Sequence, residues 1–190
     1  MGNGIGDDAP VDGHGLWHVR QVAHPHEVSA GLRGQLIDCW VAVSNAGGAV
    51  WFLPPADSTQ ISPVVAELIA GLDPRRSRLL LAVEDAVLIG WLGIQRDLHP
   101  LTAHWGTVRL VQTHPDFRGR GIASALMREA RRVAREEMGL EQLHLALRGG
   151  TGLERFYGRL GYQVVGSWPG ALRVAPGDDR DEILMILAPL

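Results

Sequence analysis

The chain has 190 residues, a net charge of −3, and 18 basic side chains that are all arginine. The missing lysine excludes a Schiff-base lysine, hence the usual PLP enzymes, and also a working Walker A phosphate loop. No basic field points to nucleic acid, and no apolar run approaches the ~18 residues of a membrane helix, so neither partner is expected.

Residues 1–14 are rich in Gly and Asp and read as a disordered tail. They lack the basic and apolar regions of a signal peptide, so a cytoplasmic setting is expected. Residues 15–190 have the length of a single domain with a full core. Leu16 to Val22 alternates as a strand. From His26 to Ser44 the apolar positions Val28, Leu32, Leu36, Ile37, Trp40 and Val41 recur at helical spacing. Cys39 lies on that stretch and reads as a buried thiol, since a lone cysteine has no internal disulfide partner. One cysteine and eight scattered histidines give no metal-ligand spacing, so no metal is expected. After Asn45-Ala46-Gly47-Gly48 comes an aromatic and proline-rich loop, Val50-Trp51-Phe52-Leu53-Pro54-Pro55. A second helix is predicted with Ser62 as N-cap and Pro63 at its first position, ending at Gly71.

Three strands follow: Arg78 to Val83, Val87 to Ile94 and Trp105 to Thr113. The first is nearly all apolar, which suits a strand covered on both faces. Ile122 to Met138 is the clearest helix, with a basic and acidic face that reads as solvated. Leu143 to Leu147 is a strand, and Leu153 to Leu160 a short helix closed by Gly161. Two last strands, Gln163 to Val174 and Glu182 to Leu187, flank a Pro176-Gly177-Asp178-Asp179 turn. The order of elements is that of a mixed α/β domain.

The chemistry concentrates where the third strand meets the long helix. The loop Arg118-Gly119-Arg120-Gly121-Ile122-Ala123-Ser124 has two glycines that allow a tight turn and leave N–H groups open. The free N–H groups of the helix start favour a phosphate, and two arginines add forked donors. A dinucleotide site is an alternative, because Gly119-Arg120-Gly121 opens like a Rossmann fingerprint and Glu141 stands at the ribose-acid distance. Against it, Ser124 replaces the third glycine, and Glu141 precedes the next strand instead of ending it.

Arg118-Gly119-Arg120-Gly121-Ile122-Ala123 matches the (Gln/Arg)-x-x-Gly-x-(Gly/Ala) signature of the GNAT N-acetyltransferases. Val111-Gln112-Thr113-His114-Pro115 resembles the end of that family's central strand. Phe156-Tyr157-Gly158-Arg159-Leu160-Gly161-Tyr162 resembles its Phe-Tyr-x-x-Leu-Gly-Phe/Tyr ending. Within the family, Leu143-His144-Leu145 and Val165-Gly166-Ser167-Trp168-Pro169-Gly170 look most like tabtoxin-resistance acetyltransferases.

The resemblance implies a mixed, mostly antiparallel central sheet flanked by helices, and acetyl-CoA as co-substrate. It implies that backbone at Val111, Gln112 and Thr113 holds the pantetheine arm and acetyl group. The loop from Arg118 through Gly119, Arg120, Gly121, Ile122 and Ala123 to Ser124 would hold the pyrophosphate. Tyr157 would protonate the departing thiolate, and a neutral amine would attack the thioester directly. The chain departs from the family at two base positions, where Ala146 and Thr107 stand in place of carboxylates. Glu84, Asp57, His99, His104 and His114 remain as candidates, beside a water-mediated route. Trp51, Phe52, Asp57 and Trp168 are expected to contact a small-molecule amine such as an antibiotic or amino-acid-like toxin. A non-catalytic acyl-CoA sensor and a protein N-acetyltransferase are the competing functions. An exposed sheet edge or the last hairpin could support a homodimer.

Overall fold

Seven strands, His18–Val22 (β1), Ser77–Glu84 (β2), Val87–Gln95 (β3), Trp105–Thr113 (β4), Gln142–Arg148 (β5), Gln163–Ala175 (β6) and Asp178–Leu187 (β7), form one sheet. The computed structural model describes residues 17–190; the tail over residues 1–14 and Leu16 of the first strand lie outside the described residues. The sheet order is β1-β2-β3-β4-β5-β7-β6, and every neighbouring pair is antiparallel except β4 with β5. The expected mixed, mostly antiparallel sheet is thus what the chain forms.

Four helices flank it: Ala30–Asn45 (α1), Ser58–Ala70 (α2), Ile122–Glu136 (α3) and Leu153–Arg159 (α4). The helix predicted from His26 starts later, at Ala30. Pro25–Glu27 makes a separate 3₁₀ turn, and the Ser29 side chain accepts from Leu32 N–H at 3.1 Å to cap α1. The second helix starts earlier than predicted. Asp57, not Ser62, is its N-cap, accepting from the N–H groups of Thr59 and Gln60, and Gln60 Oε1 closes a capping box on Asp57 N–H. Pro63 therefore lies inside α2. The box satisfies the first turn, which offsets the one hydrogen bond that proline removes.

Two cores result. One face of the sheet packs under α3 and α4, with Leu80, Leu92, Leu126 and Leu143 fully buried. The other packs under α1 and α2, around Leu36, Trp40, Ile61 and Trp91. Trp40 anchors this second core: its ring lies edge-on to Trp91 and to Phe52, and its Nε1 donates to Val50 O at 2.6 Å. No residue of β5, β6 or β7 belongs to the second core. Taking β1 to β4 as the first wing of the sheet and β5, β7 and β6 as the second, that face of the second wing is open among the described residues.

β4 and β5 pair at only three positions, Trp105 with Gln142, Gly106 with Leu143 and Thr107 with His144. Trp105 and His144 stack there, with ring centroids 4.2 Å apart and planes 4° apart. Beyond Thr107 the strands part. β4 runs on to Thr113 and β5 to Arg148 without a partner for one another. The stacked pair marks the closed end of a wedge between the wings.

Candidate active site

The wedge is shaped by an irregularity in β4. From Trp91 to Gly93, β3 advances two residues, while β4 advances three, from Gln112 to Arg109. The extra residue makes a bulge at Leu110, whose φ of 57° lies in the left-handed region. Such a bulge bends a strand and redirects its backbone groups. On its β5 side, the β4 edge from Val108 to Thr113 faces no strand of the described residues, so it can receive an extended ligand as an added strand would be received.

At the mouth of the wedge β4 gives way to the turn Pro115–Phe117 and then to the loop before α3. Gly119 and Gly121 have φ of 80° and 75°, conformations that glycine adopts without strain. A Cβ at either would meet nothing within 4 Å, so the space above the loop is open. Gly121 is the N-cap of α3 and supplies no capping side chain. The first N–H groups of α3 are therefore available to an anion. Thr113 Oγ1 is buried without a hydrogen-bond partner, and Thr113 lines the wedge. Arg118 lines it too. An uncapped helix start, an open glycine loop and an orphaned hydroxyl fit a ligand with a pyrophosphate and a polar arm. Ile122 is buried in the first core, so it can offer only backbone. Gln112 is also buried and does not line the wedge. Arg120 differs again, being bound to Glu84.

The cavity in the wedge holds about 780 Å³. Tyr157 reaches it from α4 and is buried against Phe156 and Tyr162, with ring centroids at 4.9 and 5.9 Å. Burial pushes its phenol up to about 12, so it carries its proton at neutral pH. Ala146 and Thr107 line the cavity too. Two carboxylates do as well: Glu67 from α2 and Glu182 from β7. Glu182 pairs in register with Arg148, two pairs along from Ala146 and Leu184 and therefore on the same face. Register mates on neighbouring strands share a face, so Glu182 flanks Ala146 on the open side of the sheet.

The remaining residues singled out in the sequence scatter. Trp51 lines the cavity, is 80% exposed and has a φ of 80°. Phe52 packs on Trp40 instead of lining the cavity. Asp57 is occupied as the cap of α2, where the Thr59 hydroxyl hydrogen bond holds its carboxyl below the usual range. Trp168 is exposed on β6, in register with Glu182 but outside the cavity lining. Glu84, His99, His104 and His114 do not line the cavity either. Sequence reasoning missed Glu67, Glu182 and the Leu110 bulge. Glu67 follows Val64 by three places, so correct phasing of α2 would have put it near the same face. Glu182 carried no local signal, since its place depends on β7 entering between β5 and β6.

Comparison with known proteins agrees with this geometry. The family model of the acetyltransferase (GNAT) family matches residues 49–162, and the chain belongs to that family. Elongator complex protein 3 of Saccharomyces cerevisiae is 36% identical over 76 residues, which are 40% of this chain and 13% of that protein. The chain thus spans a small part of that relative. Among solved structures, ribosomal-protein-alanine N-acetyltransferase from Brucella melitensis superposes with a TM-score of 0.70 at 16% identity, covering 90% of this chain and 99% of that one. An aminoglycoside 6'-N-acetyltransferase in complex with coenzyme A superposes at 0.68 and 16% identity, covering 90% and 96%. At these identities the structures share the fold.

Proposed function

We propose that this GNAT acetyltransferase moves an acetyl group from acetyl-CoA to a primary amine of a small molecule. The observation that carries the reading is the wedge itself. An unpaired bulged strand edge, an open glycine loop at an uncapped helix start and a protonated tyrosine all border one cavity. Acetyl-CoA supplies the acetyl group and a thiol leaving group. Val111 and Thr113 offer backbone to its arm, and Arg118 with the N–H groups of Gly121, Ile122, Ala123 and Ser124 receives its pyrophosphate. Tyr157 holds the proton that the leaving sulfur takes. The burial that weakens this phenol as an acid raises the thiol by the same cause, so the pair stays matched. Glu182 and Glu67 stand on the acceptor side, where a carboxylate can draw in an ammonium and take its proton.

The acceptor reading rests on Trp51, an exposed aromatic that lines the same cavity as these carboxylates. The resemblance of the C-terminal half to tabtoxin-resistance enzymes supports an amino-acid-like acceptor. No helix of the described residues is long and apolar enough to cross a membrane. An enzyme using acetyl-CoA works where that compound is made and spent, so the reading places this one in the cytoplasm. The test is thiol release from acetyl-CoA in the presence of an amine panel. Transfer to amino acids or aminoglycosides supports the proposal. Transfer only to a peptide N-terminus would make it a protein N-acetyltransferase, and tight acetyl-CoA binding with no transfer would make it a sensor.

A further inference from the structure

Arg120 occupies the middle of the glycine loop, yet it is not among the side chains that line the cavity. Its Nη1 and Nη2 donate to Glu84 Oε2 and Oε1 at 3.0 and 2.5 Å. The Arg120 and Glu84 side chains are 21% and 15% exposed. Beneath the guanidinium lies the Phe117 ring, with its centroid 5.5 Å from Cζ. The arginine is thus held from two sides. Glu84 is itself rigidly placed. It ends β2 and pairs with Val87 across the two-residue turn Asp85-Ala86, both of whose residues have positive φ, 48° and 66°. Such a turn locks the hairpin that carries the carboxylate.

The glycines of the loop add no side-chain contacts of their own. Open space surrounds the positions where Gly119 and Gly121 would carry a Cβ, and α3 has no capping side chain. A loop of flexible glycines samples many shapes unless something pins it. Arg120 is the tether between this loop and the hairpin.

We infer that Glu84 is a positioning residue for donor binding: through Arg120 it holds residues 118–121 in the shape that aims the α3 N–H groups at the donor's pyrophosphate. The inference rests on the proposal that the wedge is an acetyl-CoA site. Arg120 then anchors the loop and does not grip phosphate, while Arg118 faces the ligand. Because both partners of the pair are partly shielded, removing either one breaks a bidentate contact that water replaces only in part, and the loop loosens.

Calorimetry with acetyl-CoA and with S-acetylpantetheine tests this without a known acceptor. S-Acetylpantetheine keeps the thioester arm and lacks the pyrophosphate. Glu84→Gln is expected to weaken acetyl-CoA about tenfold, the effect of one charge-assisted contact, and to leave S-acetylpantetheine unchanged. Arg120→Gln should do the same, and the double variant should bind no worse than either single one, since both break one tether. Tighter acetyl-CoA binding by Glu84→Gln would overturn the inference, because it would mean that the freed arginine is a phosphate ligand. Parallel weakening of both ligands would also overturn it, because the defect would then be general. If the wild-type protein does not prefer acetyl-CoA to S-acetylpantetheine, the donor-site reading itself fails. A preference in the wild type that Glu84→Gln leaves intact sinks only the role of Glu84.

Discussion

The two wings of the sheet are covered very differently. In β2 every residue between the two ends is buried, and β3 is buried almost throughout. In β6 no residue is buried, and Val164, Val165 and Trp168 are exposed. The features proposed to hold the donor hang on the first wing: the bulge, the glycine loop and the Glu84 contact all belong to β2, β3, β4 or the start of α3. Of the residues proposed for the acceptor side, Ala146 and Glu182 belong to the second, while Glu67 reaches the cavity from α2. On the proposed reading, the donor is held by a rigid, doubly packed frame. The proposed acceptor would then meet, on the second wing, a face with little packing to constrain its residues.

This contrast has an energetic form. Leu92→Ala in the first wing should cost about 2–5 kcal/mol, since Leu92 is fully buried and its loss leaves a cavity. Leu184→Ala in the second should stay within about 0.5 kcal/mol, because that side chain is 41% exposed. Denaturant unfolding of both variants measures the difference. An equally large loss at Leu184 would mean that the open face is covered in solution, as it would be in a homodimer.

The same division decides what could be read in the sequence. Strands β2 to β4 came out nearly at their bounds, because each is a continuous apolar or alternating run with its turn beside it. The glycine loop and the Tyr157 segment were legible for the same reason, as local patterns. What failed was either a competition between local signals or a non-local fact. At α2, Pro63 as a helix opener lost to the Asp57–Gln60 capping box six residues earlier. The partner of Arg120 had no local signal, because Glu84 lies 36 positions away. Glu182 was invisible because only the strand order β5-β7-β6 brings it beside Ala146.

Where the wings meet, Tyr157 carries the next largest expectation. Tyr157→Phe should lower kcat about 100-fold while the acetyl-CoA KM moves little, since the ring packing is kept and only the proton is lost. The pH profile should agree. With the phenol at about 12, Tyr157 stays protonated across pH 6–9 and causes no loss of activity there. Its folded pKa is raised above the unfolded value of about 10. Its contribution to stability is therefore complete below pH ~10 and lost as pH rises toward ~12. Tyr157→Phe removes that share of the alkaline loss, which unfolding at pH 9 and pH 11 measures. Equal turnover by Phe and Tyr would remove Tyr157 from the chemistry.

The smallest effect is expected on the open wing, at Glu182. If its carboxylate takes the proton from the acceptor, Glu182→Gln should lower kcat/KM for the amine about tenfold at pH 7. The loss should shrink as pH rises through the amine's own pKa. Above that point the acceptor is already neutral, and a base has nothing left to remove. If instead Glu182 only attracts the cationic form, the variant's defect lies in the acceptor KM and fades with added salt, because exposed charges are screened. If neither pattern appears, Glu67 is the cavity carboxylate to test in the same way. The acceptor wing would then contribute shape, with its charge supplied from α2 across the wedge.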